Sequence, residues 1–470
     1  MFLKAYKNSD NLEYITFHTV CTVQQGLQIN IFERLKEKID GAFPYITIQS
    51  LKNGEQLDFI LNPRESVKFT KEDILVTRTG STGKIVRNEE GVFHNNFFKL
   101  NLKDGFFNDF IYYTLISENL QAKIKNVATT TTIPDLNHGE FFSLPVLDLK
   151  LEEQKHVSKI LTAQENIIKG LNGLLNKEFK CIKINQNILL SGKTRIKLTV
   201  EKEKELLSKG VISVTEEITE KEQFSFLSIN EGKFEEFVNL IDLTNDITFY
   251  QNNENDWKEE EVNELQKQLP KDWNVEQLYK KVNFIKGKSI PENQLNYNGE
   301  GLKYLKTTEF WLDSASKRDT VHFTGTVDEK YLKRKDEYVF SMDGFNNKIG
   351  DGTLGLISNE DEGIVSTSFY KLEKNDIYHL VVNILKSNYV QNFIMRCGEG
   401  TTVYHAGKYM KNLQGVFPKS TVEQKLLSMI FEKEEKLVDS LKEKIKLEEK
   451  VFKYLQQELL SGRIRIKLEE

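Results

Sequence analysis

Apolar residues recur every seven positions in two stretches of the chain. The first series consists of Leu161, Ile168, Leu175, Ile182 and Leu189. The second lies near the end of the chain and consists of Phe431, Val438, Ile445, Phe452 and Leu459. A seven-residue period is typical of helices that pack side by side in a coiled coil. We therefore predict two long helices, over 151–198 and 421–470, that pair with each other and bind a partner through these series.

The apolar face of the first helix is wider than pairing with one helix requires. A neighbouring row is also apolar and contains Ile160, Ile167, Leu174, Cys181 and Ile188. A third row is interrupted by Gln164, Glu178 and Asn185. A stripe of this width is typical of a helix that packs against more than one neighbour. We expect helices of another protein to join the pair, although two ordinary core helices remain an alternative.

Several sequence segments recur later in the chain at a constant offset of 270 residues, which also relates Leu161 to Phe431. LLSGKTRIKL at 189–198 and LLSGRIRIKL at 459–468 match at eight of ten positions, and Glu153-Gln154-Lys155 is repeated as Glu423-Gln424-Lys425. A β-rich stretch with glycine-containing turns precedes each helix, at 1–150 and 271–420. We predict an α+β fold in which two β-rich domains, head 1 and head 2, are separated by two long antiparallel coiled-coil helices with pseudo-two-fold symmetry.

Residues 199–270 fit neither repeat. They contain 18 acidic and 7 basic residues, a net charge of −11. Apolar clusters such as 224–227 would allow a small folded insertion, but a solvated acidic linker is the interpretation we prefer.

Composition narrows the class of protein. Charged residues make up 29% of the chain, and apolar runs are too short for a membrane span. Cys21, Cys181 and Cys397 are isolated and odd in number. This pattern argues against a disulfide framework and suits a reducing cytoplasm.

One loop of head 1 carries the strongest candidate chemistry. The segment from Asp73 to Val86 reads DILVTRTGSTGKIV, a strand that enters a glycine-containing loop and leaves it again. It is not a nucleotide-binding Walker A loop, because Arg78 stands where the first glycine belongs and Ile85 follows Lys84. Its donors suit phosphate oxygens and base edges. They are Arg78, Thr79, Ser81, Thr82 and Lys84.

Other polar loops are weaker candidates for nucleic-acid contact. Head 1 has a threonine run that contains Thr130, Thr131 and Thr132, and head 2 has Thr401, Thr402 and Tyr404 in the matching place. Head 2 replaces the loop of Arg78 with a different sequence that contains Asn346, Asn347 and Lys348, and Lys317 and Arg318 precede it. A surface turn without a ligand is the alternative for each of these loops.

No catalytic motif is found. The nearest approach to the tetrapeptide of an amino-methyltransferase is Asn62-Pro63-Arg64-Glu65, which fails at its third and fourth positions, and no histidine has a partner at metal-ligand spacing. We expect a non-enzyme without catalytic, cofactor or metal residues of its own.

These features together resemble the specificity subunit of type I restriction-modification systems. The resemblance spans nearly the whole chain. Its strongest local parts are the run from Thr131 to Asn137, the Leu151-Glu-Glu-Gln-Lys155 opening of the first helix, and WNVEQLYKKVNFIKGK at 273–288.

The resemblance implies a role in DNA recognition. Each head would be a target-recognition domain that reads one half of a split, asymmetric site in double-stranded DNA, while the paired helices fix the distance between the halves. Two adenine-N6 methyltransferase subunits would be recruited and would use S-adenosylmethionine, and added motor-nuclease subunits would restrict unmethylated DNA. No membrane is involved.

Charge gives only modest support to DNA binding. Head 1 has 17 basic and 18 acidic residues, and head 2 has 21 and 19. We expect the partner methyltransferases to supply most phosphate contacts, while the loops select the sequence. The rival interpretation is a coiled-coil scaffold that presents two protein-binding β domains. An enzyme with an unrecognised site in one head is a third interpretation.

Overall fold

A computed structural model shows an α+β chain that divides into two compact units. Unit 1 contains residues 1–175 and 441–470, and unit 2 contains residues 176–440. The residues that the structure describes are 5–7, 12–53, 57–128, 135–218, 223–252, 257–263, 265–306, 320–340, 356–357, 362–397 and 407–466. Helix and strand both contribute to each unit.

The α-helices are short except for α6 and α11, which have 40 residues each. In chain order the helices are α1 (Phe17–Val20), α2 (Ile48–Asn53), α3 (Asn108–Ile116), α4 (Glu118–Ala128), α5 (His138–Ser143), α6 (Leu151–Leu190), α7 (Val200–Ser208), α8 (Phe234–Leu240), α9 (Tyr378–Lys386), α10 (Asn388–Cys397) and α11 (Thr421–Leu460).

The strands are mostly short and antiparallel. Those of the first half are β1 (Ala5–Lys7), β2 (Tyr14–Thr16), β3 (Cys21–Gln25), β4 (Ala42–Ile46), β5 (Asp58–Leu61), β6 (Lys68–Phe69), β7 (Leu75–Thr77), β8 (Ile85–Val86), β9 (Gly91–Phe93), β10 (Phe97–Leu102), β11 (Pro145–Leu147), β12 (Thr194–Leu198), β13 (Ile212–Ile218) and β14 (Gln223–Ile229). Those of the second half are β15 (Ile247–Gln251), β16 (Trp257–Val262), β17 (Leu265–Pro270), β18 (Trp273–Gln277), β19 (Phe284–Lys286), β20 (Leu302–Leu305), β21 (His322–Phe323), β22 (Leu332–Lys333), β23 (Val339–Phe340), β24 (Leu356–Ile357), β25 (Gly363–Val365), β26 (Tyr370–Leu372), β27 (Gln414–Pro418) and β28 (Ile464–Ile466).

The two heads have the same sheet topology. Head 1 contains a sheet of order β3-β10-β7-β8 and another of order β5-β4-β9-β6. Head 2 contains β19-β26-β23-β24 and β21-β20-β25-β22, which is the same order with the strands renumbered. In both heads the second sheet has one parallel pair, β4 with β9 and β20 with β25. The predicted internal repeat is therefore confirmed.

Each head has a glycine at an equivalent position, where two segments of the backbone lie in close contact. A Cβ on Gly26 would lie 2.3 Å from the carbonyl oxygen of His94, and one on Gly287 would lie 2.1 Å from that of Ser366. No side chain fits at such distances, so only glycine allows the two chain segments to approach.

The two long helices pair antiparallel within each unit. In unit 1 the beginning of α6 meets the end of α11, because Leu161 and Leu459 share one hydrophobic core. In unit 2 the end of α6 meets the beginning of α11, because Leu189 and Phe431 share another. The side chains of both predicted heptad series are buried or half-buried. Those buried are Leu161, Leu189, Phe431, Val438, Ile445 and Leu459, and those half-buried are Ile168, Leu175, Ile182 and Phe452.

The predicted helix bounds of 151–198 and 421–470 were too long: α6 ends at Leu190 and α11 at Leu460, because the repeated Leu-Leu-Ser-Gly sequence stops each helix and a short strand follows. An arginine in that strand contacts the start of the other long helix. Gly192 and Gly462 have φ angles of 70° and 72°, the left-handed conformation that stops a helix. In unit 1, Arg465 Nη2 then donates to Glu153 Oε2 at 2.6 Å. In unit 2, Arg195 Nη2 donates to Glu423 Oε2 at 2.6 Å. The repeated residues thus join the end of one helix to the start of the other.

The acidic segment 199–270 is a folded insertion of unit 2, not the solvated linker that we preferred from its charge. It contains α7, α8, two antiparallel hairpins (β13–β14 and β16–β17) and β15, which pairs with β12. Phe237, Val262 and Leu269 are buried in the core of unit 2. The acidic side chains of its described residues are exposed or half-buried, so a high net charge is compatible with a folded insertion.

Candidate nucleic-acid interface

The candidate loop of head 1 is the tip of a tight hairpin between β7 and β8. Thr77 N donates to Lys84 O at 2.9 Å, Gly83 N donates to Thr77 O at 2.9 Å, and Lys84 N donates to Thr77 Oγ1 at 2.7 Å. Gly80 and Gly83 have φ angles of 84° and 81°, which other residues rarely adopt. The predicted strand, loop and strand are present, and hydrogen bonds within the hairpin constrain the loop backbone.

Helix α4 packs against the loop and holds it in place. Gln121 Nε2 donates to Gly83 O at 2.9 Å. A Cβ on Gly83 would lie 2.4 Å from the Cγ2 of Ile124, so the helix and the loop are in direct contact. The loop is therefore pre-organised for a ligand, which reduces the entropic cost of binding.

Arg78 is held by an ion pair inside the head. Its Nε lies 2.9 Å from Asp135 Oδ1 and its Nη2 lies 3.2 Å from Asp135 Oδ2. The backbone of Arg78 is fixed as well, since its N–H donates to Asn96 O at 2.7 Å and its carbonyl accepts from Leu136 N at 3.0 Å. This two-point contact fixes the plane of the guanidinium group.

The other loop residues differ in exposure. Lys84 is exposed, whereas Thr79, Ser81 and Thr82 are half-buried. Lys84 can therefore reach a phosphate as a mobile charge, and the hydroxyl groups lie closer to the body of the head.

A polar cluster beside the loop was missed by the sequence analysis. His138 Nε2 lies 3.1 Å from Gln25 Oε1, and the Gln25 amide donates to the carbonyl of Asn95. Burial, reinforced by the charge of Arg78, lowers the pKa of His138 and so favours the neutral ring. Asn95 Oδ1 is buried and has no partner among the described residues. The cluster is recognisable only in the folded chain, where the end of β3 lies next to the start of α5.

All of the weaker candidates lie outside the described residues. They are Thr130, Thr131, Thr132, Lys317, Arg318, Asn346, Asn347, Lys348, Thr401, Thr402 and Tyr404. Their assignment as DNA contacts stays a prediction.

A row of apolar side chains on α6 faces solvent. Ile167, Leu174 and Ile188 are 46%, 42% and 39% exposed, and Cys181 is also exposed. They belong to the row that made the apolar face of α6 wider than one partner helix requires. The neighbouring heptad series is buried or half-buried, whereas these four positions are exposed.

The described parts of the chain offer neither a metal site nor a membrane-spanning helix. They hold no group of three His, Cys, Asp or Glu side chains placed to bind a metal ion. Among the described helices, none is both long enough and apolar enough to span a membrane.

Comparisons with known proteins agree with the resemblance seen in the sequence. Residues 10–178 match the family model "Type I restriction modification DNA specificity domain". The chain is 23% identical over 451 residues to the "Type I restriction enzyme MjaVIII specificity subunit" of Methanocaldococcus jannaschii, covering 92% of this chain and 88% of that protein.

A solved structure shows the same fold. The S subunit of a type I restriction-modification system from M. genitalium matches with a TM-score of 0.53 and 16% identity, over 96% of this chain and 97% of that one. The resemblance to type I specificity subunits is thus confirmed.

Proposed function

We propose that this chain, a specificity subunit of a type I restriction-modification system, reads the two halves of a split, asymmetric DNA site with its two heads. One observation carries the proposal: a single scaffold occurs twice, and the loop between its equivalent strands β7–β8 and β23–β24 differs in sequence. A shared scaffold with different loops suits two related tasks with different ligands, such as two unlike half-sites.

The loop of head 1 would contact DNA through several kinds of donor. Lys84 suits a phosphate, and the hydroxyl groups of Ser81 and Thr79 suit base edges or phosphates. Arg78 would present the part of its guanidinium group that Asp135 leaves uncovered. Its fixed plane favours recognition of one base geometry over others.

The exposed row of α6 would bind the catalytic partner. We propose that helices of two adenine-N6 methyltransferase subunits pack on the long helices of this chain, with Ile167, Leu174 and Ile188 in the contact. S-adenosylmethionine and the catalytic residues would belong to those subunits, and this chain would be non-catalytic. Motor-nuclease subunits would add restriction to the same assembly.

Methylation mapping tests this function. The chain should be co-expressed with its methyltransferase partner, and N6-methyladenine should be mapped by long-read sequencing with and without this gene. We expect methylation at one bipartite motif that disappears when this gene is deleted. A scaffold of the rival kind would leave no motif that depends on this chain.

Exchanging one head tests which half of the DNA motif that head reads. Replacing residues 14–147 with the equivalent head of another specificity subunit should change one half of the motif and keep the other. A motif that changes in both halves, or in neither, would contradict the division of reading between the heads.

A further inference from the structure

A turn of head 1 presents an apolar side chain to solvent. Residues Ile31–Glu33 form a 3₁₀ turn, on which Phe32 is 95% exposed and Ile31 is 65% exposed. Phe32 is the most exposed of the large apolar side chains in the described chain. It contributes nothing to the core, so its removal should not affect folding.

The backbone under this ring is firmly fastened. Asn30 O accepts from Glu33 N at 3.0 Å, and Arg34 Nε and Nη2 donate to Ile29 O at 3.0 and 2.7 Å. Ile29 N donates to the hydroxyl of Tyr45 at 3.1 Å, and Tyr45 is fully buried. The backbone that carries the exposed ring is therefore fixed, which lowers the entropic cost of ordering this turn on binding.

Head 2 repeats the anchors of this turn. Gly26 N donates to Phe97 O at 3.1 Å in head 1, and Gly287 N donates to Phe369 O at 3.0 Å in head 2. The hydroxyl of Tyr45 donates to Leu27 O at 2.8 Å, and that of Tyr304 donates to Lys288 O at 2.9 Å in the other head. The two turns are thus built on the same framework.

The side chains at the tips differ in chemistry. The turn of head 2 spans Glu292–Gln294, so Glu292 and Asn293 stand where head 1 has Ile31 and Phe32. The two heads therefore share the hydrogen bonds that anchor the turn, whereas the exposed residues of the turn are apolar in head 1 and polar in head 2. Stability does not explain the exchange, since neither tip is buried.

We propose that Phe32 is a specificity determinant of head 1 that inserts against a base step of duplex DNA. This inference rests on the proposed function. A single aromatic ring on a narrow, rigid turn matches the width of one base step, and apolar wedges of this kind partly unstack the bases that they contact. The half-site of head 1 would then be selected partly by how easily one step unstacks. Head 2, with Glu292 and Asn293, reads its half-site without a wedge.

The test uses the full complex of this chain with its methyltransferase partner. Phe32→Ala and Phe32→Leu are compared with Asn293→Ala, the matched position of head 2. The DNA is a duplex that carries the mapped motif, with 2-aminopurine placed at successive steps of the half-site of head 1. We expect Phe32→Ala to weaken binding to this duplex by about tenfold, the usual worth of one base–aromatic stack. Phe32→Leu should lose less.

The fluorescence separates a wedge from a simple contact. The wild-type complex and Asn293→Ala should raise 2-aminopurine emission at one step, and Phe32→Ala should not. Unchanged affinity and emission in Phe32→Ala would overturn the proposal. So would a variant that no longer assembles with the methyltransferase in the absence of DNA, since Phe32 would then contact protein. A wild-type complex without any mapped motif would instead refute the proposed function.

Discussion

At the scale of single residues, one buried arginine holds two elements of unit 2 together. Arg195 follows α6, and its guanidinium group bonds to Glu423 at the start of α11 and to Asp272 just before β18. Its side chain is 8% exposed and that of Glu423 is 5% exposed. The arginine therefore neutralises the buried carboxylate of Glu423 and also pairs with the half-buried Asp272.

Substitution of this arginine should destabilise unit 2 strongly. We expect Arg195→Ala to lower the free energy of unfolding by about 3–5 kcal/mol, because it leaves the buried carboxylate of Glu423 without its charged partner. Lys197→Ala is the control, since Lys197 lies on the same strand and is exposed. It should change the free energy by about 0.5 kcal/mol or less. Urea unfolding measures both, and equal effects would contradict the assigned role of Arg195.

At the scale of elements, the contact between the two long helices contains a pair of polar residues that differs between unit 1 and unit 2. In unit 1, Gln164 Nε2 donates to Glu448 Oε2 at 2.5 Å. In unit 2, the equivalent residues of the internal repeat are Glu434 and Glu178, so two carboxylates replace an amide and a carboxylate. Burial, with the charges of Glu435 and Glu178, raises the pKa of Glu434. Its Oε2 is buried and has no partner among the described residues.

This difference predicts a pH-dependent stability. Because the folded state raises the pKa of Glu434, its contribution is present at low pH and is lost as pH rises through the folded pKa. Glu434→Gln restores the arrangement of unit 1 and should stabilise the protein at pH 8 by about 1 kcal/mol, with less effect at pH 5. Urea unfolding at both pH values measures this. A variant that is less stable than wild type at pH 8 would disprove it.

The exposed row of α6 predicts that a substitution there can weaken assembly with the partner without destabilising the chain. We expect Leu174→Glu to keep the thermal midpoint of the chain within about 2 °C, since Leu174 is already 42% exposed. Under the proposed function, the same variant should lose most co-purification with the methyltransferase subunit, because a charge would enter an apolar contact. Lys177→Glu is the control at an exposed polar position of α6. Full assembly of Leu174→Glu would exclude this row from the interface.

At the scale of the whole molecule, the two long helices have equal lengths of 40 residues. Each spans about 60 Å at 1.5 Å per residue. Both are divided between the two units, at Leu175 and at Ser440. Under the proposed function, their common length would set the number of unread base pairs between the half-sites.

Lengthening both helices tests this relation. Seven residues inserted after Leu175 and seven after Ser440 keep the heptad phase and add about 10 Å, or about three base pairs of spacer. We expect longer spacing in the mapped motif and unchanged half-sites. A three-residue insertion at each point disturbs the phase and should abolish methylation. An unchanged spacer in the seven-residue variant would refute the relation.

The sequence by itself determined the features that depend on local order along the chain. The heptad series defined both long helices, because a period of seven is visible within a single segment. The constant offset between the repeated segments revealed the internal repeat, because equal lengths are a property of numbering alone. The hairpin of Arg78 was likewise recognisable from its flanking apolar strands and its glycines.

The tertiary structure decided what depends on contacts between distant segments. Arg78 meets Asp135 across 57 positions of sequence, which no local pattern predicts. The acidic segment folds because Phe237 and Val262 find partners in the core of unit 2. Phe32 lies outside the core although its type favours burial, because the chain around it is fastened by Tyr45 and Arg34. Burial is a property of the packed molecule, so a sequence pattern can suggest it but not assign it.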